Sequence, residues 1–363
     1  MLTVDELETP AVLVDLDVLE RNVATMAARA RAAGVRLRPH AKTHKCPEIG
    51  RMQLAAGAPG LTLAKISEAE VFAASGLEDV FVAFPAVGED KGRRLLALSE
   101  RARVSVGVDS LEGAQSLARP FARAGRVLDV LLKIDVGYGR VGVVPAAAAA
   151  LARLLAELPG LRLVGIFTHA GHVYAARTPE DVAVLARHEG RAMVELAEAL
   201  RRSGLPVEVV SVGSTPTARG NLQVPGVTEC RPGSYVFHDA NQVSLGACTL
   251  DDCALTVLTT VVSTPGPGRA VLDAGSKTLS SDSARPVAGG HGWVLGSQSR
   301  LSALSEEHGW VTLAEGDELR VGQRVRVLPN HCCAVANLHD RLFGVRAGQV
   351  EVVFDVAARG CVR

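Results

Sequence analysis

The chain has 363 residues, 48% of them hydrophobic and 21% charged, with Lys+Arg and Asp+Glu balanced at 39 each. That length suits two domains or one large barrel, and the charge balance supplies no field that would recruit nucleic acid or an anionic membrane surface. The opening MLTVDELETPAVLVDLD is acidic and lacks the basic flank and long apolar core of a signal peptide, and no apolar run reaches the ~20 residues that span a bilayer, so the expected location is the cytoplasm. The seven cysteines, Cys46, Cys230, Cys248, Cys253, Cys332, Cys333 and Cys361, are odd in number and read as reduced thiols rather than a disulfide framework.

The first periodic segment is LERNVATMAARARAAG, with Leu19, Val23, Met26 and Ala30 spaced by three and four. It follows Asp15 and Asp17 as candidate caps and stops at Gly34, which predicts a helix. Short β-branched runs then predict strands over 35–42, 61–64, 80–83, 104–108, 130–135, 163–168, 207–212 and 228–231. Helix-like stretches separate them, among them VVPAAAAALARLLAEL and residues 179–203. Eight strands alternating with helices over roughly 240 residues are the count and length of a (β/α)8 barrel; a doubly wound sheet would explain the alternation without needing eight. After about residue 245 the texture becomes strands joined by Gly/Pro turns, such as CALTVLTTVVS, QRVRVLP and QVEVVFDVAARG. The predicted fold is therefore α/β: a TIM barrel over 10–245 followed by a smaller all-β domain over 246–363, with residues 1–9 free to pack against the latter.

On a strand, alternate residues share a face. In VRLRPHAKTHK, Arg36, Arg38, His40 and Lys42 would share the lumen face of a barrel, where branched apolar residues normally pack. Cations there need partners, and a charged surface loop is the competing reading. Lys42 would sit at the C-terminal mouth beside other cations, where a lysine can form a Schiff base with a carbonyl. Lys45 is the competing candidate, and its odd parity takes it off that face. His169, His172 and Tyr174 fall just past the sixth predicted strand, at the face where catalytic groups gather. GSTPT after strand seven and RPGSY after strand eight suit a phosphate, because glycine lets backbone N–H groups approach an anion while hydroxyls add donors. The candidates are Gly213, Ser214, Thr215, Gly233 and Ser234, with Tyr235 adjacent. In PNHCCAVANLHD, strand parity would put His331 and Cys333 on one face and turn Cys332 away, which argues against a redox pair.

The segments TPAVLVDLDVLERNVATMA, RPHAKTHKC, KIDVGYGRVGV, GIFTHAGHVY, VSVGSTPT, ECRPGSYVFHD, LDAGSKTLSSD and SEEHG together resemble, in order and nearly end to end, the fold-type III pyridoxal-phosphate (PLP) enzymes in the branch of D-serine dehydratase and D-threonine aldolase. The resemblance implies an alanine-racemase-like barrel plus a β-domain, paired as a homodimer whose subunits share each active site. It implies that Lys42 carries the cofactor, with His40 nearby, and that Arg140 lies close to the cofactor's phenolic oxygen, where a cation stabilises the phenolate. Tyr174 resembles the group that meets the pyridine nitrogen in this branch, and Arg231 the one that does so in alanine racemases; Tyr174 is preferred. The branch also implies a metal, held by a His-x-Cys pair in its zinc-dependent dehydratases and a His-x-Asp pair in its aldolases. Here His331 and Cys333 make the former, and imidazole with thiolate favours Zn2+ over harder Mg2+ or Mn2+.

PLP supplies the electron sink and leaves open which bond breaks. Racemisation of the alanine-racemase kind needs a tyrosine base from the β-domain, and the three tyrosines, Tyr138, Tyr174 and Tyr235, all precede it. The expected activity is a PLP- and Zn2+-dependent dehydration of small D-3-hydroxyamino acids, D-serine first, to a 2-oxo acid and ammonia. Lys42 would remove the α-proton and the metal would assist the leaving hydroxide. The alternative is retro-aldol cleavage to glycine and an aldehyde, with Mn2+ or Mg2+ then admissible and His169 or His172 deprotonating the β-hydroxyl. A PLP-binding regulatory protein is the non-enzymatic alternative, and the added β-domain counts against it.

Overall fold

In the computed structural model, residues 2–282 and 289–363 are described. Strand β1 (Ala11–Asp15) leads into a helix over Leu16–Ala32, whose N-terminus is capped by Asp15 accepting from Val18 N at 3.1 Å and which ends just before Gly34 at φ 66°. Eight parallel strands follow: β2 (Arg36–Leu37), β3 (Leu61–Leu63), β4 (Asp79–Val82), β5 (Arg103–Val108), β6 (Leu128–Lys133), β7 (Leu161–Phe167), β8 (Val209–Val212) and β9 (Glu229–Cys230). Their order is β2-β9-β8-β7-β6-β5-β4-β3. The two ends meet through a parallel bridge between His40 and Thr62, with Thr62 N donating to Pro39 O at 2.7 Å. This is the predicted barrel, and all eight predicted strands are present.

The lumen is filled in layers. At the bottom, Arg38 donates to Glu229 at 2.9 Å and to Asp79 at 2.5 Å. Above them Phe81 and Phe167 meet edge to face, centroids 5.0 Å apart, with Leu131 beside them. Gly107 makes room for this layer, since a Cβ there would lie 2.4 Å from Phe167 Cζ. At the top, Lys133 Nζ lies 4.4 Å and the Arg231 guanidinium 5.3 Å from the Phe167 ring centroid.

The second domain is built from β10 (Leu255–Gly266), β11 (Arg269–Leu272), β12 (Gly292–Val294), β13 (Arg300–Leu304), β14 (Gly309–Thr312), β15 (Arg324–Pro329), β16 (Arg341–Arg346) and β17 (Gln349–Asp355). The sheet runs β11-β14-β13-β12-β15-β10-β1-β16-β17, and β10 also pairs with β11, so six strands close a small antiparallel barrel. Its long strand β10 manages this with register shifts at Val261 and Ser263.

Three expectations change. Strand β1 pairs with β10 and β16, so residues 11–15 belong to the second domain's sheet and the barrel begins at the Leu16–Ala32 helix rather than at residue 10. The predicted strand 35–42 is continuous only at Arg36–Leu37, with the isolated bridge at His40 beyond it; Pro39 has no N–H to donate, and Ala41–Thr43 form a 3-10 turn. Arg38 still faces the lumen, as its parity requires. Finally, Cys332–Leu338 is a helix, not a strand, and buries Cys332, Val335 and Ala336.

The Arg38 layer carries a testable cost. Glu229 is 3% exposed; burial pushes its carboxyl up, but Arg38 and Ser211 outweigh this and hold it below the usual range. Arg38→Ala should therefore destabilise the barrel by about 3–5 kcal/mol by stranding a buried charge, seen as a lower thermal midpoint at neutral pH. Because the folded carboxyl is depressed, the wild-type contribution is present above the usual glutamate range and is lost as pH falls through the folded value. The difference between wild type and variant should shrink in acid.

Candidate active site

At the C-terminal mouth of the barrel the loops after the strands enclose a cavity lined by His40, Lys42, Arg140, His169, Tyr174, Gly213, Ser214, Thr215, Arg231, Gly233, Ser234, His331 and Cys333. The sequence-predicted residues thus converge from widely separated segments. The cavity's remaining walls are Thr43, Ala83, Lys133 and Phe167, and among the described residues no Asp or Glu lines it.

Lys42 sits in the 3-10 turn that follows the barrel's closing bridge, with its backbone N–H directed to His40 Nδ1 at 3.5 Å. Lys45, the competing lysine, is buried elsewhere: its Nζ pairs with Glu68 at 3.2 Å and donates to Asn337 at 2.6 Å. Of these two, Lys42 is therefore the one that faces the cavity.

Four cations, Lys42, Lys133, Arg140 and Arg231, surround the two histidines. Burial, then Lys42, pushes both His40 and His169 well below the ordinary imidazole range, so both are neutral near pH 7. Burial, then Arg231 and Arg140, brings Lys133 down to about 7. Lys133 was not among the expected site residues. Its signal was available in strand parity: it shares a face with Leu131, which packs in the lumen. Arg231 is buried, donating to Ser211 Oγ and to the Thr168 carbonyl. Burial also raises the Tyr174 phenol, aided by Cys333.

The cradle expected from GSTPT and RPGSY forms one wall of the cavity. Gly213 adopts φ 103°, and a Cβ there would meet Cys230 Sγ at 2.7 Å. A Cβ on Gly233 would lie 2.8 Å from Thr43 Oγ1 and 3.1 Å from the His40 carbonyl. Glycine at these two positions lets the loops pack closely against Cys230, Thr43 and the His40 backbone. Glu189, a residue the sequence gave no reason to single out, holds the cradle from behind. It is buried, accepting from Ala170 N at 3.1 Å, Gly213 N at 3.2 Å and Asn221 Nδ2 at 2.6 Å. In the run RHEGR it reads as part of a solvated helix face.

Two expected residues stand outside the lining. His172 packs against the Tyr138 ring, centroids 6.5 Å apart, and does not line the cavity. Tyr235 is turned into the core, its hydroxyl accepting from Gln53 Nε2 at 3.1 Å, so its side chain makes no part of the cradle.

Across the cavity, His331 precedes the Cys332–Leu338 helix in extended conformation, φ −141° and ψ 99°. Its imidazole and the Cys333 thiol both line the cavity. The pairing expected from a strand therefore survives by another geometry, the N-cap and second residue of a helix. A hydrogen bond from Cys332, then the His331 charge, pulls the Cys333 thiol well below its usual range despite burial. Burial would push His331 down, but Cys333 and Asp282 hold it well above. Asp282 meets His331 Nδ1 at 2.5 Å, leaving Nε2 for another partner, and Cys333 Sγ lies 3.2 Å from Thr43 Oγ1. Cys332 is wholly buried, away from the cavity. Among the described residues no group of three or more His, Cys, Asp or Glu side chains is arranged to hold a metal. An acidic thiol beside an imidazole oriented by a carboxylate is a donor set suited to Zn2+. Among the described residues no helix is long and apolar enough to cross a membrane.

This barrel and cavity define a class, and comparison with known proteins names it. Residues 14–241 match the family model "Alanine racemase, N-terminal domain", and residues 254–345 match "Putative serine dehydratase domain". The chain belongs to this family, the fold-type III PLP enzymes in the branch of D-serine dehydratase and D-threonine aldolase. It is 36% identical to a D-threonine aldolase of an Arthrobacter species, covering 98% of this chain and 94% of that one. It is 40% identical to the D-threo-3-hydroxyaspartate dehydratase of Delftia sp. HT23, covering 90% and 91%. The solved structure of that dehydratase superposes with a TM-score of 0.91 at 37% identity, covering 98% of this chain and 99% of that one, and a cysteine-to-alanine mutant of it has been solved in a metal-free form.

Glu189 gives the test of this site's construction. Glu189→Ala frees three buried donors at once and should weaken PLP binding roughly tenfold or more, measured by titrating the apoprotein with PLP and following absorbance. Tyr235→Phe, which removes one remote hydrogen bond, should leave that affinity within about twofold.

Proposed function

We propose that the protein is a PLP- and Zn2+-dependent dehydratase of D-3-hydroxyamino acids, such as D-serine or D-threo-3-hydroxyaspartate, releasing a 2-oxo acid and ammonia. The observation that carries this reading is the His331–Cys333 pair facing Lys42 across one cavity. The cavity's basic side chains, with no carboxylate among the described lining residues, fit a cofactor with a phosphate and a phenolate, and its glycine cradle fits the phosphate end. Gly213, Ser214, Thr215, Gly233 and Ser234 would hold the phosphate, Arg140 would face the phenolic oxygen, and Tyr174 is preferred over Arg231 for the pyridine nitrogen. The cofactor supplies the electron sink that allows the α-hydrogen to leave as a proton.

Lys42 Nζ is the group placed to accept that proton. His331 Nε2 and Cys333 Sγ would hold Zn2+, which when bound would supply Lewis-acid assistance to loss of the β-hydroxyl as hydroxide. Asp282 on Nδ1 keeps the His331 ring oriented for that bond. His40 and His169, neutral for the reasons given, add no further positive charge beside the substrate. Loss of the α-proton and the β-hydroxide leaves an enamine, and water then releases ammonia from its imine tautomer.

Retro-aldol cleavage is the second reading, favoured by one observation: neutral His169 lines the cavity and can accept the proton of a β-hydroxyl. We take the enzyme to act as a cytoplasmic homodimer; the exposed Phe84, Val87, Tyr138, Val141 and Val144, on loops following β4 and β6 beside the mouth, support a partner surface there.

Incubation with PLP, Zn2+ and D-serine, D-threonine or D-threo-3-hydroxyaspartate should yield 2-oxo acid and ammonia, assayed separately from glycine. Glycine without 2-oxo acid would make the enzyme an aldolase. Lys42→Ala should abolish turnover and the ~400–430 nm absorbance typical of protein-bound PLP. Cys333→Ala should lower the zinc bound per chain, by elemental analysis, and reduce kcat by at least ~100-fold; unchanged zinc content would place the metal elsewhere.

A further inference from the structure

Tyr138 takes no part in the chemistry described so far, yet its ring joins the two loops that follow β6 and β7. On its own loop, Arg140 Cζ lies over the ring, 4.8 Å from its centroid. On the other loop, the His169 ring meets it edge to face, centroids 6.0 Å apart at 86°, and His172 stands tilted at 6.5 Å. A Cβ on Gly171 would lie 2.4 Å from Tyr138 Cε1 and 2.6 Å from Cζ, so only glycine there lets the ring rest against that backbone.

The Tyr138 loop is itself fixed. Asp135 accepts from Gly137 N at 3.0 Å, Tyr138 N at 2.8 Å and Gly139 N at 2.9 Å. At its base Asp135 N donates to the Val143 carbonyl at 2.9 Å and Val143 N to the Lys133 carbonyl at 3.0 Å. The ring is therefore a stationary platform. Arg140 lines the cavity but is otherwise exposed, and the Lys133 ammonium near it repels it. An exposed arginine has many rotamers to lose when it is held in one place. The deeper cations of the same mouth show how such a charge is held, since Lys133 and Arg231 both lie over the Phe167 ring.

We propose that Tyr138 is a positioning residue: the face of its ring holds the Arg140 guanidinium at the rim of the cavity, turned to the phenolic end of PLP. A cation over an aromatic face is attracted by the ring quadrupole, which Tyr and Phe both supply and an aliphatic side chain does not. Gly171, His169 and His172 keep the ring in place from the neighbouring loop. The proposal rests on the reading of PLP as the cofactor and is indifferent to which substrate bond breaks.

The test is titration of the cofactor-free full chain with PLP, followed by absorbance, for wild type, Tyr138→Leu, Tyr138→Phe, Arg140→Met and the double variant Tyr138→Leu/Arg140→Met. Leucine keeps apolar bulk over Gly171 and removes the ring; at 37% exposure the position tolerates the exchange, and Tyr138→Gln is a second ringless replacement. Tyr138→Leu should weaken PLP binding about three- to tenfold, and Tyr138→Phe should stay within about twofold of wild type. On the Arg140→Met background, Tyr138→Leu should change the affinity by less than about twofold, because its partner is already gone. A ring that merely packs the loops would give the same loss on both backgrounds. Equal losses on the two backgrounds, or a Phe variant as weak as the Leu variant, overturn the proposal. Wild-type protein that binds no PLP overturns the cofactor reading and this proposal with it, a result seen before any substitution is made.

Discussion

The site depends on one buried carboxylate. Asp239, on the segment that leaves the last barrel strand, accepts from Gln242 N at 3.0 Å through one oxygen and from Cys332 N at 3.0 Å through the other. The first bond caps the short helix Ala240–Ser244; the second caps a helix of the other domain, the one that begins with Cys332 and carries Cys333. Two orphan donors from separate domains are thereby satisfied by a single side chain. Lys45 reinforces the junction, reaching Asn337 with its side chain and accepting from Ala358 N at 3.1 Å with its carbonyl. Without this clamp the barrel's lysine and the β-domain's imidazole–thiol pair would not face one another.

The cationic mouth is the other requirement, and it is tolerable for a physical reason. Lys133 and Arg231 rest over the Phe167 ring, Arg231 also donates to Ser211 and Thr168, and the surplus charge is left for an anionic occupant. Farther down the same lumen, Arg38 has two carboxylates of its own. The barrel thus neutralises its buried charge at the closed end and leaves it uncompensated at the open end. That asymmetry leaves the C-terminal mouth the cationic end of the lumen.

Much of this was legible beforehand. The eight strands, the Asp15-capped helix and the switch to antiparallel strands follow from periodicity and turn chemistry, which are local properties. Parity placed Arg38 in the lumen correctly and would have placed Lys133 there as well. Glu189 was not legible, because a glutamate in a charged helical run becomes a buried acceptor only when two loops and a neighbouring helix supply its donors. Tyr235 was misassigned for a similar reason: lying next to the cradle in sequence does not say which way a ring turns, and Gln53 decided it. The barrel's boundary was set at residue 10 because a five-residue apolar run does not reveal its partners, which here lie more than 240 residues away.

PNHCCAVANLHD separates the two kinds of information most clearly. The amino-acid sequence by itself determined the chemistry available: an imidazole two residues from a thiol, on a chain whose segments assemble a lysine-bearing barrel. It could not determine the geometry, because a short Cys/Ala/Val run suits a strand and a helix about equally. Asp239 supplied an acceptor for the first helical N–H, and the tertiary structure chose the helix. The pair still converges because an extended N-cap residue and the second helical residue lie beside each other at a helix start. Chemistry was written locally, and its direction was decided by a hydrogen bond across the domain boundary.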